Sequence, residues 1–453
     1  MKLLLMTLCS TFWLCLPAIA QAAPGTLTLD AAIELAGSAD PWLLGSRYRQ
    51  QALAEEAVAV GSLPDPKVSL TAGNLPLDTF DINQEPMTQL MVGVSQAFPR
   101  GDTRVLAQRQ KGELAAQEPW LREDRSAQVE RKVTQLWYAA YLAQETIALI
   151  ERNRSLFDYL LDAASASYSS ALGSTRQQDL VRAQLELTRL EDRLTALHQQ
   201  RDAAQRQLGE WIGASANSPL LALPANDVMQ PAGALQGAAA ASREQRYGWI
   251  ASHPVLQAID RRIAAMSTEV DLARQGYKPA WGVNAQYGYR GQDPVGRDRA
   301  DLFSVGVTFD VPLFTGDLQD KQVGAAVARV EALRTDRQLL ARRMLAELET
   351  ALARLQRLDE RSALYAERLM PQMANQADAA LAAYNNDDGD FAEAVRARIA
   401  ELDAQVESLG LSIARQQMLA EIDYLLVAAK PGFVNQSPSQ VDNNADNNAG
   451  NIQ

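Results

Sequence analysis

Cysteine is almost missing from this sequence. Its two copies, Cys9 and Cys15, both fall at the extreme N-terminus of 453 residues, so the rest of the chain can hold neither a disulfide framework nor thiolate metal ligands. Histidine is as scarce: His198 and His253 stand apart, with no carboxylate or cysteine at ligand spacing, and His253 before Pro254 reads as a helix-start residue. No nucleophile-elbow, phosphate-loop or zincin pattern occurs. No catalytic residue, cofactor site or resident metal site is therefore expected, and the chain does not read as an enzyme. Long apolar runs are lacking too, since after the first segment nothing approaches the roughly eighteen residues of a membrane helix. If this chain crosses a bilayer, it must do so as strands of a closed barrel, because only helices and closed barrels satisfy every backbone group in lipid. Positive charge is also short, with 43 Lys and Arg against 55 Asp and Glu for a net charge of -12. That balance argues against nucleic acid as a partner.

What is present begins with a leader. Lys2 supplies a positive start, Leu3 to Leu16 form a mostly apolar stretch, and Pro17 precedes the small residues Ala18, Ala20 and Ala22. Residues 1–22 read as a secretory signal with an A-x-A-like cleavage site. Cys15 follows Trp13-Leu14, where a lipid-acceptor cysteine wants small residues, so no lipid is expected there.

The remainder repeats itself once. Pro41 and Pro254, Pro66 and Pro279, and Pro99 and Pro312 are each 213 residues apart. Phe98-Pro99-Arg100-Gly101-Asp102 matches Val311-Pro312-Leu313-Phe314-Thr315-Gly316-Asp317, with two residues inserted in the second copy, and Tyr168 and Gly173 match Tyr384 and Gly389. So many turn residues kept in order indicate a tandem duplication. The first copy occupies 23–213 and the second 242–428. Residues 214–241, broken by Pro219, Pro224 and Pro231, form a mixed equatorial link. The Asn-, Asp- and Ser-rich tail over 429–453 has little to bury and is expected to be disordered.

Each copy carries a pair of strands, expected within 67–98 and 281–311. Trp281, Val283, Ala285, Tyr287 and Tyr289 alternate with Gly282, Asn284, Gln286, Gly288 and Arg290; Phe303, Val305, Val307 and Phe309 alternate with Ser304, Gly306, Thr308 and Asp310. Period-two alternation puts each set on its own face. Segments of about ten residues, oily on one side and small or polar on the other, suit strands between lipid and water. Trp281, Val283, Tyr287, Tyr289, Phe303, Val305, Val307 and Phe309 are the expected lipid-facing residues. The first copy is less regular, with Val68, Leu70 and Ala72, then Leu90, Val92 and Val94, on one side. Two hairpins covering a soluble core would use the same pattern. Four strands alone enclose no useful lumen, so a barrel would need strands from sister copies.

Each hairpin hands over to long helical segments, 102–211 and 317–428, rich in Ala, Leu, Gln, Arg and Glu. Apolar residues recur at three- and four-residue spacing, as in Leu180, Leu185, Leu187, Leu190, Leu194 and Leu197, a narrow stripe suited to helices lying side by side. Asp102 and Asp317 are expected to cap these rods, and Pro119 and Pro371 to kink or interrupt them.

The leader, the duplicated helix–hairpin–long-helix units, the Pro-bounded strands and the tips at Tyr168 to Gly173 and Tyr384 to Gly389 together resemble the TolC family of outer-membrane efflux proteins, over about residues 28–428. The resemblance implies a mainly α chain that adds four strands to a trimeric twelve-stranded membrane β-barrel, continued through the periplasm by a long α-helical barrel. The implied partners are two sister chains, outer-membrane lipid, a periplasmic membrane-fusion adaptor and an inner-membrane pump, with the RND type favoured. The implied work is passive conduction of exported solute, with a type I secretion exit duct as the alternative. Leu63-Pro64-Asp65-Pro66, Asn74-Leu75-Pro76, Glu85-Pro86-Met87-Thr88-Gln89 and Ser95-Gln96-Ala97-Phe98-Pro99 are similar to members that accompany heavy-metal exporters.

The tips hold the remaining candidates. Asp387, Asp388, Asp390 and Glu393 surround Gly389; in a threefold assembly each becomes a ring, and carboxylate rings narrow and select at pore mouths. A solvated turn rich in Asn and Asp is the plainer reading. The family's gate acids lie on the last helix just beyond the glycine, where this sequence has Val395 and Arg398, so their chemistry does not carry over. Leu172, Gly173 and Ser174, with Gly389 and Phe391, are expected to meet the adaptor. Met87 and Met91 flank the first hairpin, and thioethers suit Cu(I), although packing explains two methionines equally well. A periplasmic adaptor or a soluble coiled coil would also use long helices, but neither needs two alternating strand pairs.

Overall fold

Proline and a side-chain cap start the first long element of each copy. The computed structural model describes residues 26–169, 177–220, 233–386 and 389–429; the expected signal 1–22 and nearly all of the tail lie outside these residues. Helix α1 spans Leu29–Ala39, capped by Thr28, and α2 spans Pro41–Gly61, with Asp40 accepting from the Trp42 amide at 2.9 Å. Pro41 costs nothing in the first turn, where no intrahelical N–H bond is lost. The second copy repeats the device. There α7 (Arg243–Ala251, after a short α6 at Gly233–Ala240) leads into α8 (Pro254–Gln275), capped by His253.

Four strands follow these helices in pairs: β1 Lys67–Gly73 and β2 Gln89–Phe98 after α2, β3 Ala280–Tyr289 and β4 Leu302–Asp310 after α8. They form one antiparallel sheet in the order β1-β2-β3-β4, so the copies join at the β2–β3 pair.

The helical rods are segmented. After β2, α3 covers Thr103–Ala115 and α4 begins anew at Glu118, with Pro119 in its first turn, and runs to Ser169. Its 52 residues make a rod of roughly 80 Å, antiparallel to α5 (Gln177–Ile212). After β4, α9 spans Gln319–Leu364, a π-turn covers Tyr365–Leu369, α10 spans Met370–Asn385 and α11 spans Phe391–Leu425. Pro371 cannot supply an amide to the residues one turn earlier, and the backbone widens into the π-turn just before it. Both prolines interrupt, as expected. The expected caps do not form. Asp102 makes no side-chain bond to the start of α3 and instead pairs with Lys278 at 2.9 Å; Asp317 lies two residues before α9, whose first flanking residue is Leu318. Ion pairing across the junction outcompetes capping at Asp102.

Two cores midway along the rods hold each copy together. In the first, Trp137 is fully buried among Leu27, Val133, Leu136, Leu208 and Ile212; it stacks on Tyr141 at 5.1 Å, and its indole N–H reaches the Leu27 carbonyl. The second gathers Ile250, Leu256, Met344, Leu348, Ile422 and Leu425. The chain linking the copies also pins the first core, because Leu27 forms an isolated parallel bridge with Leu220.

Candidate functional site

The sheet sorts its side chains by face. Reading across the registered pairs, one face carries the rows Leu70–Val92–Tyr287–Phe303, Val68–Val94–Ala285–Val305 and Phe98–Trp281–Phe309. The other carries Ser69–Gly93–Gln286–Ser304 and Lys67–Ser95–Asn284–Gly306. The first face is wholly apolar except Gln96, whose amide donates to the Pro64 carbonyl at 2.7 Å. The second is mostly small and hydrophilic, with fixed charge only at its ends, on Lys67 and Asp310. Glycine belongs there because a Cβ at Gly306 would lie 2.7 Å from Asn284 Oδ1.

Every residue expected to face lipid lies on the apolar face. Phe303, Val305, Val307 and Phe309 are exposed in the single chain, as are Trp281, Tyr287 and Tyr289, while Val283 is half-buried. Such a run of exposed apolar side chains far exceeds what a soluble surface tolerates. Phe98, absent from the expected set, stacks on Trp281 at 4.4 Å at the helix-proximal end of the sheet. Its period-two parity with Leu90, Val92 and Val94 was the available signal. Met91 lies on the polar face, where the Gln286 amide donates to its sulfur, and Met87 is exposed in the loop. The two thioethers occupy different settings, and among the described residues no His, Cys, Asp and Glu cluster could hold a metal ion.

Arg100 locks the foot of the sheet. Its guanidinium donates to the Gly276 carbonyl at 2.8 Å, to the Lys278 carbonyl at 3.2 Å and to Asp310. Gly101, at φ 43°, fits beneath Lys278 and Gln275, where a Cβ would meet the lysine stem at 2.3 Å. Sequence alone offered only an unmatched arginine in a duplicated turn.

At the far tip, Leu172, Gly173, Ser174, Asp387 and Asp388 lie outside the described residues. Asp390 caps α11, accepting from the Ala392 amide at 3.1 Å, and Glu393 pairs with Arg396 at 3.0 Å. Phe391 is only 3% exposed; it packs with Ala183, Val395, Leu180 and Tyr384 and joins α11 to α5. Arg398 bonds Asp378 on α10 at 2.6 Å and Glu401 at 2.7 Å, tying the two arms of the tip. Gly389 allows the chain to turn back. A Cβ there would sit 2.7 Å from the Tyr384 nitrogen and 2.8 Å from the Ala383 carbonyl carbon. Backbone cannot yield as a side chain can, so Gly389→Ala is expected to destabilise the tip by about 1–3 kcal/mol. Limited proteolysis should then cut near residue 389 faster, with the sheet still protected.

The titratable groups that matter lie at the midpoint. His253 is fully buried; its Nε2 donates to the Tyr424 carbonyl at 3.0 Å and its Nδ1 accepts from the Val255 amide at 3.3 Å. Burial drives its pKa down from 6.5 to about 4, with nearby Arg131 adding to the effect and the Tyr424 carbonyl opposing it. The Tyr424 hydroxyl donates to buried Asp124 at 3.0 Å, and burial raises the pKa of both, that of Tyr424 to about 12. Because the folded histidine titrates below the unfolded one, stability is flat above pH 6.5 and falls as pH drops from 6.5 to 4, by roughly 3 kcal/mol in all. Asp124 has the opposite slope, since a raised folded pKa favours folding on acidification. His253→Asn should retain the cap and flatten the loss between pH 6.5 and 4, read by thermal melting against the unsubstituted protein.

Residues 248–426 match the outer membrane efflux protein family. No curated protein matches the chain. Among solved structures, the chain is similar to CusC, described as changing conformation on folding and transmembrane channel formation (14% identity, 88% of this chain and 91% of that one, TM-score 0.73). It is also similar to the outer membrane protein VceC of Vibrio cholerae (15%, 88% and 95%, 0.70) and the CmeC outer membrane channel of Campylobacter jejuni (12%, 88% and 85%, 0.70). At these identities the likeness is one of fold.

Proposed function

We propose that this chain is an outer membrane efflux protein of the TolC type and serves as the exit duct of a tripartite efflux system whose cargo is heavy-metal cations. It is a channel protein of the outer membrane and not an enzyme. The observation that carries the reading is the two-faced sheet whose two outer edges, one on β1 and one on β4, are unpaired in the single chain. Oily on one side and hydrophilic on the other, it can lie in a bilayer only if those edges are satisfied. Three copies contributing four strands each close a barrel, and the rods of α4, α5, α9, α10 and α11 continue it on the periplasmic side. On this reading Asp390 and Glu393 form part of a carboxylate ring at the inner mouth, with Gly389 and Phe391 beneath the surface that receives a periplasmic adaptor and its RND-type pump; the sequence candidates Asp387, Asp388, Leu172, Gly173 and Ser174 belong to the same proposal but lie outside the described residues.

The cargo reading is supported by the Pro-, Asn- and Met-bearing stretch over residues 63–99 that is similar to heavy-metal members. The polar face fits it physically. Serine, threonine, asparagine and glutamine line that face without fixed charge except near its ends, so a hydrated cation passes without being held. A deletion strain is expected to become sensitive to copper, cobalt, zinc or cadmium salts and to recover with the intact gene. Sensitivity to drugs alone would reject the cargo and keep the duct. In planar bilayers the purified oligomer should conduct ions, and neutralising the four tip carboxylates should lower its cation preference.

A further inference from the structure

Away from the sheet and the tip, α1, α4 and the end of α11 enclose a cavity of about 160 Å³ beside the first core. Its apolar lining is Leu29 and Ile33 from α1, Ala127 from α4, Ala420 from α11 and Val427 just beyond it. Each of the three helices also brings a carboxylate: Asp30 and Glu130 are exposed, and Asp423 is half-buried. Arg131 lines the cavity too, but its charge is already engaged. It bonds Glu421 at 3.0 Å and lies 4.1 Å from the centre of the Tyr424 ring.

Thr134 supplies the group that points to a ligand. It lines the cavity from α4 and is 3% exposed, yet its hydroxyl meets no hydrogen-bond partner among the described residues. A threonine inside a helix commonly returns its hydroxyl to the carbonyl four residues back, as Thr146 does to Leu142 at 2.7 Å and Thr268 to Ala264 at 3.0 Å. Leaving a buried hydroxyl without a partner is destabilising. One turned away from its own helix, into a space rimmed by carboxylates, is placed to accept from a cationic donor.

We propose that this cavity binds a small alkylammonium ion, with its ammonium on the Thr134 hydroxyl and the carboxylates and its methylenes on the apolar lining. Size fits, since a cavity of about 150 Å³ takes benzene and an amine of four or five carbons is no larger. The chemistry selects against other ions. Among the described residues no His, Cys, Asp and Glu come together to hold a metal ion, so the three carboxylates do not converge on one point. An anion would face all three with only the paired Arg131 in its favour. An ammonium has three donors to share between hydroxyl and carboxylates, and that pairing offsets the cost of taking its charge out of water. The site is independent of the cargo. Because α1 and α4 belong to the first copy and α11 to the second, an amine seated there joins the two copies midway along the rods.

Calorimetric titration of the intact, detergent-solubilised protein with n-butylammonium chloride at fixed ionic strength tests this. Saturable binding of one ion per chain is expected. Thr134→Val removes the hydroxyl and keeps the shape, so it should weaken binding about fivefold. The amine-free variant should melt no lower than the unsubstituted protein, because no hydrogen bond is lost. Asp423→Asn should weaken binding about tenfold. Absence of saturable binding overturns the proposal, and so does binding unchanged in both variants. Equal uptake of n-butanol would show an apolar cleft only, and preferred uptake of sodium butyrate an anion site on Arg131; either rejects the ammonium. Should Thr134→Val melt lower, Ala420→Leu decides, since it fills the cavity: loss of binding supports the site, and retention sinks it.

Discussion

Val305→Arg should prevent the oligomer from accumulating in the outer membrane. Val305 lies near the middle of β4 on the apolar face, in the row it shares with Val68, Val94 and Ala285, and is 65% exposed in the single chain. A guanidinium facing lipid near the midplane of a barrel costs about 2–4 kcal/mol. Three copies carry it in a trimer, so the penalty reaches roughly 6–12 kcal/mol, comparable with the whole stability of a typical domain. Ser304→Arg places the same side chain one residue away on the water-filled side, where it should be tolerated and should shift ion selectivity instead. Heat-modifiable mobility of the membrane fraction separates the two. Equal accumulation of both variants would mean that the apolar face does not meet lipid.

The second large effect is expected far from the sheet. Trp137→Ala should lower the stability of the helical body by about 3–5 kcal/mol, the range for deleting a buried aromatic side chain. Trp137 has no exposed surface, stacks on Tyr141, meets Tyr138 edge-on and binds the Leu27 carbonyl. Its loss should also free the segment around Leu27 that bridges to Leu220. Trp137→Phe keeps most of the packing but loses the hydrogen bond, so it should cost distinctly less. Hydrogen exchange at Leu27 and Leu220 measures the coupling: faster exchange there with unchanged exchange in β2 and β3 is expected. Uniform loss of protection throughout would show that the two regions unfold as one.

Periodicity made the sheet legible before any coordinates. In β3 and β4 aromatic or branched residues alternate with glycine and polar residues over most of each strand, and a strand has only two faces on which to put them. Proline placed the boundaries as well, because it fits the first turn of a helix and not the interior: Pro41, Pro119, Pro254 and Pro371 each stand in the first turn of a helical segment. The first copy was harder to read, since Gln96 sits on the apolar face and Phe98 follows it. The parity of Phe98 with Leu90, Val92 and Val94 hinted that the row continues past Gln96, and its pairing with Trp281 shows that it does.

The sequence by itself determined the duplication, the class of each element and the face each strand residue takes, since these follow from local sterics and from periods of two and 3.6. Tertiary structure alone decided which distant groups meet. Asp102 left its helix to pair with Lys278, Arg100 found two carbonyls about 176 residues away, and Phe391 turned inward against α5. No local propensity encodes such choices, because each depends on how two rods and a sheet are brought together and on which ion pair or apolar contact gains most when water is excluded.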